Sequence, residues 1–294
     1  MSKGKIEISV FLCFLMMMFL VVTGGGGGAA AASGGGGGGG SVVTDAIIAD
    51  HTKARLSVLD SISDSALADA KSKLVIAYGH TSHGSQIVDG INGLDAFMTL
   101  RGHASGDYSG LNLRDTPFSG ADDLGAPNLT AWEAATRTYL NAHTEVNVVV
   151  WSWCGQVSSA SAGDITNYLS LMNGLESSYP TVKFVYMTGH LDGGGLTGNL
   201  HLRNEQIRAY CLANNKILFD FADIETYNPD DVYFGDKHPN DACDYDGGNN
   251  WATAWRALHT ENVDWYDCSS AHSDALNANM KAYAFWWLMA QIAQ

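Results

Sequence analysis

Three short polar clusters hold the residue types that acyl transfer needs: a nucleophile, an imidazole and hydrogen-bond donors for a developing oxyanion. They are Gly79-His80-Thr81-Ser82-His83-Gly84-Ser85-Gln86, Trp153-Cys154-Gly155-Gln156 and Thr188-Gly189-His190-Leu191-Asp192-Gly193, and each follows an apolar run. A fourth, Asp223-Ile224-Glu225, offers carboxylates only. Ser82 stands between a strand-like run and an apolar-periodic stretch that begins at Ile87. That placement predicts a tight strand-to-helix turn, with the N–H groups of the helix start free to serve as an oxyanion site. Ser82 is therefore the candidate nucleophile. The pattern Gly-His-x-Ser-x-Gly is one residue longer than the Gly-x-Ser-x-Gly elbow of α/β-hydrolases. The alternative is a polar turn in which Ser82 or Ser85 caps the helix.

A serine nucleophile needs a base within hydrogen-bond reach, and the base needs an orienting carboxylate. His272, in Asp267-Cys268-Ser269-Ser270-Ala271-His272-Ser273, stands just before the last apolar helix and is expected to be that base, with Asp267 orienting it. His238, beside Asp236 in Gly235-Asp236-Lys237-His238-Pro239, is the rival. Gln156 can offer a side-chain N–H to an oxyanion, Gly155 lets substrate approach the backbone, and His80 and His190 would line the pocket. A second chemistry stays open: His80, His83, His190 and Asp192 share the same expected sheet edge, and neutral imidazoles with a carboxylate suit zinc. Trp151 and Trp153 alternate with Ser152 and face one side, for core packing first and as a sugar or aryl platform second. The acidic stretch from Asn240 to Asn250 lacks the ligand spacing of an EF-hand and reads as a solvated turn.

The elements that must position these residues are short apolar runs: Leu74 to Tyr78, Val146 to Trp153, Phe184 to Met187 and Ile217 to Phe221. Runs of this kind are strands buried on both faces. Between them, Asp164 to Ser178 and Arg203 to Asn214 carry helical spacing, and so does Leu276 to Ile292 at the end of the chain. Alternating strands and helices predict a parallel sheet with helices on both faces, a flavodoxin-like three-layer α/β/α sandwich whose ligands sit beyond the carboxyl ends of the strands. The stretch from Asp95 to Glu145 is rich in Gly, Asp and Ser and reads as an insertion or an edge strand.

Across 294 residues the hydrophobic fraction is 46%, enough for a sizeable core, and the net charge is −15. That charge leaves no basic stripe for phosphates, so nucleic acid is not an expected partner. Lys3 and Lys5 followed by an apolar run from Val10 to Val22 have the charge order of a signal peptide. Residues 1–23 are thus expected to be a leader or an uncleaved anchor, 24–41 a Gly/Ala-rich flexible linker, and 42–294 one domain, exported to the periplasm, the cell envelope or the medium. Four cysteines follow the linker. In an oxidising compartment they are compatible with disulfides, Cys243 to Cys268 being the preferred pair, or with buried thiols.

The blocks YGHTSHGSQIVDGI, VVVWSWCGQVS, FVYMTGHLDG, RNEQIRAYC, ILFDFADIE and AHSDALNAN, in that order between Leu56 and Gln291, resemble exported bacterial proteins of the SGNH or GDSL-like hydrolase superfamily. The resemblance implies a serine on the loop after the first sheet strand, a histidine just before the final helix, and hydrolysis of esters, often acyl groups on carbohydrates. No cofactor is implied. The superfamily's Gly-Asp-Ser is here interrupted by His80 and Thr81, and its third-block Asn has Gln156 as the nearest substitute. Its Asp-x-x-His spacing is absent. Three functions remain in view: a serine esterase or deacylase, a metal-dependent hydrolase or lyase, and a non-catalytic carbohydrate-binding surface protein.

Overall fold

The computed structural model describes residues 45–294. The leader, the linker and the first residues of the expected domain lie outside the described residues. Six parallel strands form one sheet: β1 (Ile47–Ala49), β2 (Val75–Gly79), β3 (Asn112–Asp115), β4 (Val148–Trp151), β5 (Lys183–Met187) and β6 (Ile217–Phe219). Their spatial order is β1-β6-β5-β4-β2-β3. Counted from β2, this is the doubly wound order 2-1-3-4-5, with β1 added beside β6. The chain leaves β2 for β3 on one side and returns across it to β4 on the other, so the topological switch point lies between β2 and β4. Register places Tyr78 beside Val150 and Gly79 beside Trp151.

Because side chains alternate along a strand, the sheet feeds two cores. Ile76, Tyr78, Val148, Val150, Val185 and Phe219 face one core with α1 (Leu56–Leu59), α2 (Asp64–Lys73) and α3 (Ser82–Leu100). Ala77, Val149, Trp151, Phe184, Tyr186 and Leu218 face the other with α4 (Ala131–Ala142), α5 (Ala162–Ser178) and α6 (Asn199–Ala213). The first core also takes α7 (Phe221–Thr226), α8 (Trp251–Arg256) and α9 (Ala275–Ile292). A two-stranded hairpin, β7 (Asp244–Tyr245) with β8 (Asn249–Asn250), occupies the acidic loop. Helix α9 is apolar on nearly all sides because it is enclosed. Among the described residues no helix is long and apolar enough to cross a membrane.

The three-layer α/β/α architecture agrees with the sequence expectation, and the differences are local. β1 is three residues long, too short to show a period, and exists through its pairing with β6. The stretch read as an insertion or edge strand supplies the edge strand β3 and also helix α4. Trp151 and Trp153 are 1% and 3% exposed, so they pack the second core and offer no face to a sugar. No disulfide joins Cys243 to Cys268: both thiols are free, Cys243 Sγ lying 3.8 Å from Ser273 Oγ and Cys268 Sγ 3.4 Å from Asn279 Nδ2. Burial pushes the Cys268 thiol up to about 12, and the nearby carboxylates of Asp89 and Asp267 add to the shift.

Candidate active site

Ser82 is the first residue of the 19-residue α3, and Thr81 ahead of it makes no side-chain cap. The Thr81 hydroxyl instead donates to Asp123 Oδ2 at 2.7 Å, so the first N–H groups of the helix stay uncapped at the switch point. The turn is tight enough to require glycine at position 84. A Cβ there would lie 2.3 Å from Ser152 Oγ and 2.4 Å from His80 Cβ. Tyr78 clamps the same turn by donating its hydroxyl to the Gly84 carbonyl at 2.9 Å.

His272 Nε2 lies 3.0 Å from Ser82 Oγ, across 190 residues of sequence. The imidazole is exposed and its backbone has φ +63°, a left-handed conformation that turns the ring over the crevice. Its loop is tied from below: Gln86 Nε2 donates to the Ala271 carbonyl at 2.5 Å, and the Gln86 carbonyl oxygen accepts from Lys281. Lys281 is fully buried and bonds Glu225 Oε1 at 2.7 Å, while Glu225 Oε2 accepts the Leu191 N–H at 2.7 Å. One buried network therefore holds both the His272 loop and the His190 loop. Asp267 takes no part. It is exposed and forms no hydrogen bond or ion pair with His272, so the expected orienting role is corrected. The rival His238 is exposed and turned to Asp246 at 3.1 Å, away from Ser82.

Beside Ser82 stands a group that the sequence did not assemble. His83 is buried, its Nδ1 lies 3.3 Å from Cys154 Sγ and its Nε2 lies 2.9 Å from Asp241 Oδ2. Cys154 Sγ is 3.8 Å from Ser82 Oγ. Three imidazoles stack in a row, His272 on His83 at 4.5 Å between centroids and His83 on His190 at 3.6 Å. Burial raises the Asp241 carboxyl, but the His83 hydrogen bond and the charges of His190 and His83 outweigh it, and the net shift is downward. The signal for this group was thin in sequence: Cys154 was visible after its strand, but Asp241 sits in a loop with no periodic pattern.

Gln156 and His80 are elsewhere engaged. Gln156 Oε1 accepts the Cys154 N–H at 2.8 Å and its Nε2 donates one hydrogen to Asp123 Oδ1 at 3.1 Å, so the amide shapes the turn. Gly155 has φ +64°, which lets the chain reverse directly after Cys154, with His190 Nε2 near the space a Cβ would fill. His80 bonds Asp115 at 2.6 Å at the β3 side, in a different hollow, bounded by Thr116, Phe118 and Asp122. His190 Nδ1 lies 2.9 Å from the Leu191 carbonyl, and its buried Nε2 has no partner among the described residues. Asp123 is the unforeseen hub: 1% exposed, it also accepts the Gly125 and Ala126 N–H groups at 2.8 Å.

The expected metal set does not form, since His80 and Asp192 stand apart and Asp192 turns to the Gly194 N–H. His83, His190 and Asp241 do converge, with donor atoms within 4.8 Å of one another. The two rings, however, are parallel to within 2° and stacked face to face. With the ring centroids 3.6 Å apart in parallel planes, an ion lying in the plane of one ring stands out of the plane of the other, which departs from the in-plane zinc–imidazole bond at roughly 2.0–2.1 Å. A separate cavity of about 370 Å³ is bounded by Leu191, Asp192 and Pro239 at one end and by Arg208 and Asp220 at the other, and none of Ser82, His83, Cys154 or His272 lines it. No protein-family model matches the chain, and no curated protein matches it in sequence.

Proposed function

We propose that the protein is a serine hydrolase of acyl esters, an esterase or deacylase in the manner of the SGNH hydrolases its sequence resembles. The observation that carries this reading is the 3.0 Å contact between Ser82 Oγ and His272 Nε2 at the uncapped start of α3, on the switch point of a doubly wound sheet. In the proposed reaction His272 takes the Ser82 proton as the oxygen attacks the acyl carbon. The N–H groups at the start of α3 hold the oxyanion, and His272 returns the proton to the leaving alcohol. Water then repeats the sequence and frees the acid. Among the described residues no carboxylate bonds His272, so the base works as a dyad, steadied by the stack on His83 and by the Gln86 bond to the preceding carbonyl. The net charge of −15 favours neutral substrates over polyanions.

A fluorophosphonate probe tests the reading. Wild type is expected to be labelled at Ser82, and Ser82→Ala to lose both labelling and hydrolysis of p-nitrophenyl acetate by about 10³-fold or more, with unchanged circular dichroism. Absence of labelling in folded wild type would remove the serine mechanism.

A further inference from the structure

The serine dyad leaves unused the most completely assembled catalytic arrangement in the crevice. Cys154 Sγ, His83 and Asp241 are joined in sequence by contacts of 3.3 and 2.9 Å, one to each nitrogen of the same buried ring. With its Nε2–H donated to the Asp241 carboxylate, neutral His83 presents the lone pair of Nδ1 to the thiol. That is the relation of nucleophile, base and orienter. The groups facing His83 are Cys154 from the β4 turn, Asp241 from the loop before β7, His190 from the β5 loop and His272 from the loop before α9. Cys154 is partly exposed, unlike the buried Cys211 and Cys243, so a small electrophile has access to it. Next to it, the buried Nε2 of His190 has no hydrogen-bond partner among the described residues, and a substrate donor would satisfy it.

We infer that Cys154 is a second nucleophile of this crevice, activated by His83 and Asp241, and that it accepts an acyl group from an acyl donor as a thioester. The thiol proton passes to His83 Nδ1, and the resulting imidazolium faces the Asp241 carboxylate. The sulfur forms a bond to the acyl carbon. The tetrahedral intermediate then collapses, the carbon–leaving-group bond breaks, and the leaving group departs with the proton from His83. Water attacks the thioester with His83 as base, releasing the carboxylic acid and restoring the thiol. This inference stands apart from the serine reading, because it needs neither Ser82 nor His272.

The test uses the full chain in the Ser82→Ala background with p-nitrophenyl acetate as the acyl donor. Peptide mapping by mass spectrometry is expected to find one acetyl group on Cys154, removable by hydroxylamine at neutral pH. None is expected on Cys268, whose thiol is held high by burial. Adding His83→Gln is expected to slow the acetylation by about 10²-fold, in line with loss of a general base. Asp241→Asn, which keeps the size of the side chain, is expected to slow it by about 10-fold. An unacetylated Cys154, or a rate that ignores both substitutions, overturns the inference. Failure of fluorophosphonate labelling in wild type would instead strike at Ser82 alone, so the two failures are distinguishable.

Discussion

Replacing Lys281 with Met would cut the buried network that holds the loops carrying His190 and His272. Lys281 and Glu225 are both 0% exposed, their contact is 2.7 Å, and the ammonium also lies 3.8 Å from the centroid of the Phe221 ring. Burial lowers the Lys281 pKa, and the Glu225 charge opposes that shift. Lys281→Met leaves the Glu225 carboxylate without its counter-charge in a dry interior, a loss of about 3–5 kcal/mol when one partner of a buried pair is removed. Against a total stability of about 5–15 kcal/mol this is a large fraction. In a domain of this size it corresponds to a fall in Tm of about 6–20 °C. Thermal unfolding followed by circular dichroism measures it directly. Lys281→Met/Glu225→Gln removes the stranded charge and keeps an acceptor for the Leu191 N–H, so it should recover a good part of the loss. The pair should show a coupling of about 1.5 kcal/mol or more in a double-mutant cycle. On the proposed serine mechanism, p-nitrophenyl acetate turnover by Lys281→Met at a temperature where it stays folded should also drop, because Gln86 loses the partner that aims it at the Ala271 carbonyl. A single mutant within about 1 kcal/mol of wild type would refute the argument that this pair holds the interior together.

Three further outcomes follow from the same geometry. Gly84→Ala drives a Cβ into Ser152 Oγ and His80 Cβ; it should cost about 1–3 kcal/mol of overpacking, read by urea unfolding, and depress turnover by displacing Ser82. Asp123→Ala should cost about 1–3 kcal/mol and loosen Thr81 and Gln156 together, since it removes the acceptor of four hydrogen bonds; an unchanged urea midpoint would argue against the hub. The Asp241 carboxyl is lowered in the folded state, so its contribution to stability is present above the unfolded value near 3.9 and fades as pH falls through the lower folded value. The stability gap between wild type and Asp241→Asn should therefore be constant from pH 5 to 6 and narrow below pH 4 in urea titrations; a gap that widens in acid would contradict the sign.

The placement of Ser82 at a sheet edge, and of His272 on a loop that can reach it, was legible in sequence because each depends on a local pattern, while the choice between His272 and His238 came from the structure. A small polar cluster directly after a doubly buried strand marks the carboxyl edge of a parallel sheet, and a loop before a terminal apolar helix can fold over that edge. The four main strands were readable for the same reason, as unbroken apolar runs bounded by turns. Asp123 was not, because it lies in the irregular stretch after β3, where no period distinguishes a buried carboxylate from a solvated one. Asp267 was the natural orienter by proximity along the chain, yet the four residues of loop between it and His272 leave it exposed to solvent and unbonded to that ring. Trp151 and Trp153 went to the core because the strand turn that carries them faces α4 and α5.

The sequence by itself determined the layered architecture and the edge of the sheet where Ser82 stands, and it left two histidines, His272 and His238, as candidates to meet that serine. Alternation, apolar runs and turn residues act over a few positions, and their physics is complete within a short window. Only the tertiary structure decided that His83 stands between Cys154 and Asp241, that Gln156 braces a turn, and that Lys281 and Glu225 tie two loops from beneath. Each of those contacts spans tens to hundreds of residues, except the brace within the turn itself. Which polar groups meet across such distances depends on how the helices pack on the sheet, and a buried charge finds its partner only when that packing is complete.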